Sequence, residues 1–282
     1  MMFLTLYIIG FSFLGFQSYE PYPWPVDSVQ SRSIESFKIA QFEAASDLLH
    51  VGDRVVISDR KTHRLYLYTV EGELIRQIGG RGHGPQSFSS PTAIATINGL
   101  KIYVSDSGNQ RVQILDRELN YLSQLSPNQA IHTNVSESME RTYWQPSALL
   151  ITPNGECMVW DAAKQTVYRF NSRGELLGTS QSPSNVETLS WMHFDGSLVQ
   201  LYDASTQLLH RMSPNGMWMD SYSIEWSPLV ASGLEQVIEA TELSTVWNDL
   251  IHEYGAWVKT VIDDRVLWML FEGALFRIPL GE

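Results

Sequence analysis

One sequence pattern recurs along most of the 282-residue chain and constrains its fold more than any other feature. Each copy begins near a glycine and runs through short apolar stretches separated by turns. The copies begin at Gly52, Gly99, Gly155 and Gly196. Recurrence of this kind is the signature of repeat architectures. Apolar and polar residues alternate within the stretches, so each stretch is predicted to be a β-strand.

The number of strands in each copy predicts a β-propeller. In the second copy the strands are expected at 92–97, 101–105, 111–115 and 121–125. Four antiparallel strands, repeated around an axis, form the blades of a propeller. The four copies and a final one from Arg265 predict an all-β fold of five blades. Six blades stay open as an alternative, because a long interval separates the last two copies.

The two chain ends give the domain organisation. The first 16 residues are almost wholly apolar, so 1–18 is predicted to be a signal peptide or an uncleaved N-terminal anchor. A Pro-rich connector is expected at 19–33, and a single propeller at 34–282. The last copy lacks a fourth strand. The segment 36–42 is predicted to supply that strand and so to close the ring, which removes two exposed strand edges.

One segment departs from the strand pattern. At about 233–254 the apolar residues recur at spacings of three and four, which predicts a short helical insertion. Ser244 is a suitable start and Gly255 a suitable stop. Its apolar stripe is expected to pack on the blades or to bind a partner.

Composition and charge exclude several functional classes. The apolar fraction of 44% is typical of a globular protein. A formal net charge of −12 argues against broad binding to nucleic acid or to anionic membranes. Cys157 is the only cysteine, so no intramolecular disulfide forms, and its strand context predicts a buried packing residue. With the N-terminal segment, these features predict an exported protein, periplasmic or extracellular.

Three stretches resemble NHL repeats and their six-bladed propeller relatives. They are V-I-S-D ending at Asp59, Y-V-S-D-S-G-N-Q-R-V-Q-I-L-D from Tyr103, and the linker I-G-G-R-G-H-G-P-Q-S-F-S-S-P from Ile78. The resemblance implies a propeller fold, but it does not specify a function, because the fold hosts scaffolds, receptors, lyases and hydrolases. Among such relatives, peptidyl-hydroxyglycine amidating lyases hold zinc through histidines from several blades, and gluconolactonase-like propellers hold a divalent ion.

A carboxylate ends the second strand of each complete copy. These residues are Asp59, Asp106, Asp161 and Asp203. Carboxylates around an axis could hold a cation. Each one also precedes a tight turn, where Asp accepts backbone N–H bonds. Because the residue recurs in every blade, the local turn-capping role is favoured.

Residues on the loops between blades are the candidates for ligand contact, because binding residues concentrate on loops held by a rigid scaffold. The candidates are Arg81, His83, Arg141, Tyr143 and Trp144. Trp144 has a second interpretation. It occupies a linker position analogous to Phe88, which predicts a packing plug between blades.

Two histidines support a competing, enzymatic interpretation. His50 and His193 lie near the ends of first strands in different blades, where an axial zinc or calcium site would need its ligands. Zinc needs three or four converging ligands, and no third histidine falls at an equivalent place. The sequence therefore predicts a non-catalytic binding or scaffolding module for a protein, peptide or glycan ligand, with no cofactor, no nucleic-acid partner and no membrane contact beyond an anchor. The alternative is a metal-dependent lyase or hydrolase.

Overall fold

Five four-stranded antiparallel sheets make up the described part of the chain. The computed structural model describes residues 38–127, 143–183, 186, 189–203, 205–223, 252–254, 257–263 and 266–279. Within these ranges the predicted fold class, an all-β propeller of five four-stranded blades, is confirmed. Four blades lie in one compact unit, Ser46–Glu225, and the strands of the fifth lie in a second unit, Met1–Ala45 with Trp226–Glu282.

The four blades of the first unit are each built from consecutive strands. Blade 1 contains β2 (Ala45–Val51), β3 (Arg54–Asp59), β4 (Arg64–Thr69) and β5 (Leu74–Gly79). Blade 2 contains β6 (Pro91–Ala95), β7 (Lys101–Asp106), β8 (Arg111–Asp116) and β9 (Tyr121–Leu125). Blade 3 contains β10 (Pro146–Ile151), β11 (Cys157–Asp161), β12 (Thr166–Phe170) and β13 (Leu176–Gln181). Blade 4 contains β14 (Leu189–Phe194), β15 (Val199–Asp203), β16 (Leu208–Met212) and β17 (Trp218–Ser223).

The fifth blade combines strands from both ends of the described chain. Its strands are β18 (Trp257–Asp263), β19 (Val266–Phe271), β20 (Ala274–Pro279) and β1 (Lys38–Gln41). The order in the sheet is β1-β20-β19-β18, and β1 pairs antiparallel with β20, with Lys38 opposite Phe276. The N-terminal segment thus contributes the outer strand of this blade.

Several predicted segments lie outside the described residues. These are the signal peptide or anchor at 1–18, the connector at 19–33 and most of the insertion at 233–254, of which only 252–254 is described and is helical. In the part of the chain that the structure describes, no helix has the length and apolar character needed to cross a bilayer.

Apolar residues from successive blades form the core of the first unit. One cluster joins blades 1 and 2 around Phe88, a second joins blades 2 and 3 around Trp144, and a third joins blades 3 and 4 around Val186. All three residues are fully buried, and each comes from the linker that leads into the later blade. The linkers therefore carry part of the packing between blades.

Strand direction distributes the connections of this unit over two faces. In a four-stranded antiparallel blade, the turn between the second and third strands lies at the same end as the linkers that enter and leave the blade. We call this end of the four blades the linker face. The other two turns of each blade lie at the opposite end, which we call the hairpin face. The linker face contains the ligand-contact candidates.

Candidate functional site

The 80–90 linker between blades 1 and 2 is held in one conformation by a buried ion pair. The Arg111 Nε donates to Asp106 Oδ2 at 2.8 Å, and the Asp106 side chain is fully buried. The same guanidinium donates from Nη2 to the carbonyl oxygens of Gly84 and Ser87, both at 2.9 Å. The linker backbone therefore supplies acceptors for a charge whose desolvation would otherwise be costly.

Neighbouring polar side chains extend this network along the linker. The Gln113 side chain donates to the Ser87 carbonyl at 2.7 Å and accepts from the Gln86 backbone N–H at 3.1 Å. Asn109 donates to the Gly82 carbonyl at 2.7 Å. Most of the linker backbone between Gly82 and Ser90 is thus tied to blade 2, so its conformation is fixed by buried groups.

Two of the predicted ligand-contact residues project from this fixed linker. Arg81 and His83 are both exposed. Neither side chain makes a hydrogen bond or ion pair to any residue of the described ranges. Their backbone is held rigidly while their charged or ionisable groups face solvent. This arrangement lowers the conformational entropy lost when a ligand binds.

The linker into blade 3 brings Tyr143 to the same face. The turn between β7 and β8, which includes a 3₁₀ turn at Ser107–Asn109, contacts both linkers. On one side, Asn109 donates to Gly82; on the other, Gln110 Oε1 accepts from the Trp144 backbone N–H at 3.3 Å. Tyr143 is 56% exposed. Arg81, His83 and Tyr143 therefore flank one turn of the linker face.

The structure corrects one of the predicted contact residues. Trp144 is fully buried in the core between blades 2 and 3, with its ring 5.9 Å from that of Tyr168 and 6.0 Å from that of Phe170. No part of its ring is available to a ligand, so its proposed place on the binding surface is wrong and its interpretation as a packing plug is confirmed. Arg141 lies outside the described residues.

Sequence reasoning missed a hydrogen bond that joins the turn between the second and third strands to the next linker. The fourth residue after each anchor Asp has a left-handed backbone, with φ of 61° at His63 and 56° at Gln110. In blades 1 and 2 the side chain of this residue accepts from the next linker: His63 Nδ1 from the Ser90 N–H at 2.9 Å, and Gln110 Oε1 from the Trp144 N–H at 3.3 Å. Gln recurs four residues after the anchor Asp, at Gln110, Gln165 and Gln207, and this recurrence in the sequence indicated a shared role for the position.

Asp59, Asp161 and Asp203 cap their own turns, as the favoured interpretation predicted. Asp106 instead accepts from the Ser89 backbone N–H of the preceding linker and from the side chains of Asn109, Arg111 and Gln113. All four are fully buried. Asp59 accepts from the backbone N–H groups of Lys61 and Thr62 at 2.9 and 3.1 Å, and Asp203 accepts from that of Ser205 at 2.9 Å. Asp161 also accepts from the linker residue Gln145 at 3.0 Å. Burial raises the pKa of Asp161, although these hydrogen bonds oppose the shift.

The alternative metal ligands occupy different blades. His50 lies in β2 and His193 in β14, and both are partly buried. Burial lowers the pKa of His193, although Asp195 opposes the shift. Within the described ranges, no group of three or more His, Cys, Asp or Glu side chains could hold a metal ion. Cys157 is buried, and burial raises the pKa of its thiol, which fits the predicted packing role.

The hairpin face carries a small cleft between blades 1 and 2. Its volume is about 140 Å³, and it is lined by Val51, Asp53, Arg54, Asn98, Leu100 and Arg117, among others. Its charges pair with one another: Arg117 lies 3.1 Å from Asp53, and Arg54 lies 3.6 Å from Glu118. The cleft is therefore largely neutralised from within.

Comparisons with known proteins agree with this fold. The DUF5128 family model, described as a 6-bladed beta-propeller, matches residues 35–124. NHL repeat-containing protein 2 from Bos taurus is 33% identical over 81 residues, which are 26% of this chain and 11% of the bovine protein. The chain therefore matches only about a tenth of that relative's length. The six-bladed description belongs to the family, whereas the described residues here form five sheets.

Solved structures provide similarity at the level of the fold. A streptogramin B lyase superposes with a TM-score of 0.52 at 10% identity, covering 87% of this chain and 72% of the lyase. The glutaminyl cyclase of Myxococcus xanthus superposes with a TM-score of 0.50 at 11% identity, covering 86% of this chain and 95% of the cyclase. At such low identity these neighbours show a shared architecture alone. From its blades, its repeated motifs and these comparisons, the chain is a β-propeller whose repeats are similar to NHL repeats.

Proposed function

We propose that this propeller is a non-catalytic binding module that recognises a protein, peptide or glycan ligand through its linker face, and that it acts after export. The observation that carries the proposal is the 80–90 linker. Its backbone is fixed by the Asp106–Arg111 pair, while Arg81 and His83 project into solvent from it. A buried charge network under an exposed loop provides a preorganised contact surface.

Tyr143 supports the same face as the binding surface. It is exposed, and its neighbour Trp144 anchors the backbone beside it in the core. An amphipathic ring on a rigid support is a common contact residue, because tyrosine contributes a large contact area at a low entropic cost. The two linkers thus present a cation, an imidazole and an aromatic ring around one turn.

The experiment is a ligand selection with matched variants. The purified protein would be screened against a displayed peptide library and a glycan array, and the selected ligands retested with an Arg81→Ala/Tyr143→Ala double variant. We expect the double variant to lose binding without a change in thermal stability. Arg173→Ala changes an exposed arginine in a turn of the hairpin face, and it should bind as the unmodified protein does. Ligands that are insensitive to the double variant, or no ligand from either collection, would contradict the proposal.

The metal-dependent alternative has its own test. The metal content of the mature protein, purified without chelator, can be measured by elemental mass spectrometry. A stoichiometric divalent ion would favour the metal-dependent lyase or hydrolase over the binding module. His50 and His193 would then be the first residues to substitute.

A further inference from the structure

We propose that the cleft between blades 1 and 2 on the hairpin face binds one apolar amino-acid residue through its α-carboxylate and its side chain, either as a free amino acid or as the last residue of a peptide. This site is separate from the linker face, and the inference does not rest on the binding function proposed above. The starting observation is Arg54, a partly buried arginine that lines the cleft and donates no side-chain hydrogen bond to the described residues.

Arg54 supplies hydrogen-bond donors that the described residues leave unused. Its side chain is 22% exposed, and its Nε is buried and has no acceptor. The carboxylate oxygens of Asp53 and Glu118 lie 3.7 Å from its Nε and 3.6 Å from its Nη2. These distances are too long for hydrogen bonds, so the two carboxylates balance the charge without satisfying the donors. A buried donor without a partner is costly, and a ligand carboxylate can accept two parallel N–H···O bonds from a guanidinium.

The amide of Asn98 provides a second group of donors in the lining of the cleft. Its Oδ1 accepts from the Leu100 backbone N–H at 3.1 Å, which orients the side chain, and its NH2 group donates to no described residue. The other arginine of the lining, Arg117, donates to Asp53 Oδ1 at 3.1 Å. The donors that the described residues leave for a ligand carboxylate therefore include those of Arg54 and Asn98.

The apolar part of the lining sets the size of the ligand. Val51, Leu100 and Ile102 contribute their side chains to the cleft, and Leu100 is 62% exposed. The volume of about 140 Å³ is close to that of a cavity of about 150 Å³ that holds one benzene molecule. One branched or aromatic side chain therefore fits, and its contact with Leu100 removes exposed apolar surface from water.

The charge of the cleft favours a single carboxylate over a sulfate or a phosphate. Asp53 and Glu118 balance the charges of the two arginines, so a dianion would meet two carboxylates in a site with no net positive charge. A free amino acid is a zwitterion at neutral pH and adds no net charge. The side chain of Asp53 is 64% exposed and can accept from the α-ammonium group. The last residue of a peptide presents the same carboxylate and side chain without the ammonium.

The test measures the binding of small ligands by ligand-observed NMR titration. The ligands are L-leucine, N-acetyl-L-leucine, L-leucinamide, and a short peptide ending in leucine with either a free or an amidated C-terminus. We expect every ligand with an α-carboxylate to bind, and leucinamide and the amidated peptide not to bind. Tighter binding of leucine than of the free-ended peptide would identify a free amino acid as the ligand, and the reverse order would identify a chain end; either order supports the site.

Two variants with matched controls locate the binding. Arg54→Met removes the donors and should weaken leucine binding on the order of tenfold or more, with little change in melting temperature because no hydrogen bond is lost. Arg173→Met changes an exposed arginine in the β12–β13 turn of blade 3 and should bind leucine as the unmodified protein does. Leu100→Ser should weaken the binding of leucine more than that of alanine, whereas Leu122→Ser, at an exposed leucine of β9, should change neither.

Three results would overturn the inference. Equal binding of leucine and leucinamide would refute the recognition of a carboxylate. Equal losses for Arg54→Met and Arg173→Met would show that any attraction is non-specific. Absence of binding by every ligand would show that the cleft is not a site of this kind. None of these results bears on the linker face, because its library selection uses other ligands and other variants.

Discussion

Replacing Arg111 by methionine should destabilise the protein and loosen the 80–90 linker. The change removes the ion pair to Asp106 at 2.8 Å and the bonds to the carbonyls of Gly84 and Ser87 at 2.9 Å. It leaves a buried carboxylate whose counter-charge is gone, and breaking a buried pair in this way costs about 3–5 kcal/mol. At about 2–4 °C per kcal/mol, the melting temperature should fall by about 6–20 °C.

The repeat provides a matched control for this variant. Arg64 stands opposite Asp59 in the β3–β4 ladder, as Arg111 stands opposite Asp106 in the β7–β8 ladder, but Arg64 is exposed. Arg64→Met should change stability by no more than about 0.5 kcal/mol. Calorimetry gives the melting temperatures, and hydrogen exchange of the backbone amides at 82–88 measures how readily the linker opens. Similar losses for the two variants, or unchanged exchange in Arg111→Met, would refute the role given to the ion pair.

Three further predictions follow from neighbouring features. Trp144→Ala should lower the free energy of unfolding by about 3–5 kcal/mol, because it leaves a cavity in the core between blades 2 and 3. Tyr143→Ala, at the exposed neighbour, should lower it by no more than about 0.5 kcal/mol. Urea denaturation measures both values. Gly79→Ala should lower the free energy of unfolding by about 1–3 kcal/mol more than Gly80→Ala does. Both glycines have a positive φ, but only the new Cβ at 79 would lie 2.5 Å from the His63 carbonyl oxygen. Equal melting temperatures for the two variants would contradict this. Burial lowers the pKa of His210, so below about pH 6.5 the unfolded chain takes up a proton that the folded chain resists, and the stability present above that pH is lost as the pH falls. His210→Gln, which copies the residue at the equivalent position of blade 2, should reduce that loss in denaturation curves recorded across this pH range.

The sequence predicted the blades well because the repeat carries the strand pattern several times. In blade 2 the predicted strand at 121–125 matches β9, and the predicted ends of β7 and β8 differ by one residue. The inner strand was placed one residue late at its start, because Pro91 was assigned to the linker. Proline is tolerated at the first residue of a strand, where no ladder N–H is required.

The candidate site was predicted only in part, because its geometry depends on contacts between segments far apart in sequence. Arg64 and Arg111 occupy the same position of the repeat, and only the folding of the 80–90 linker over blade 2 buries one and leaves the other exposed. Trp144 and Tyr143 are adjacent aromatics in a linker outside any strand, so no strand alternation indicates which of them enters the core.

One measurement tests the central claim most directly: chemical footprinting of the protein with and without a saturating concentration of a ligand from the library selection, read by mass spectrometry. Acylation of Lys61 and carbethoxylation of His83 report the linker face, and acylation of the exposed Lys101, at the start of β7, reports the hairpin face. We predict that the ligand protects Lys61 and His83 and leaves Lys101 as reactive as before. Protection of Lys101, or unchanged reactivity of Lys61 and His83, would contradict the assignment of the linker face as the binding surface.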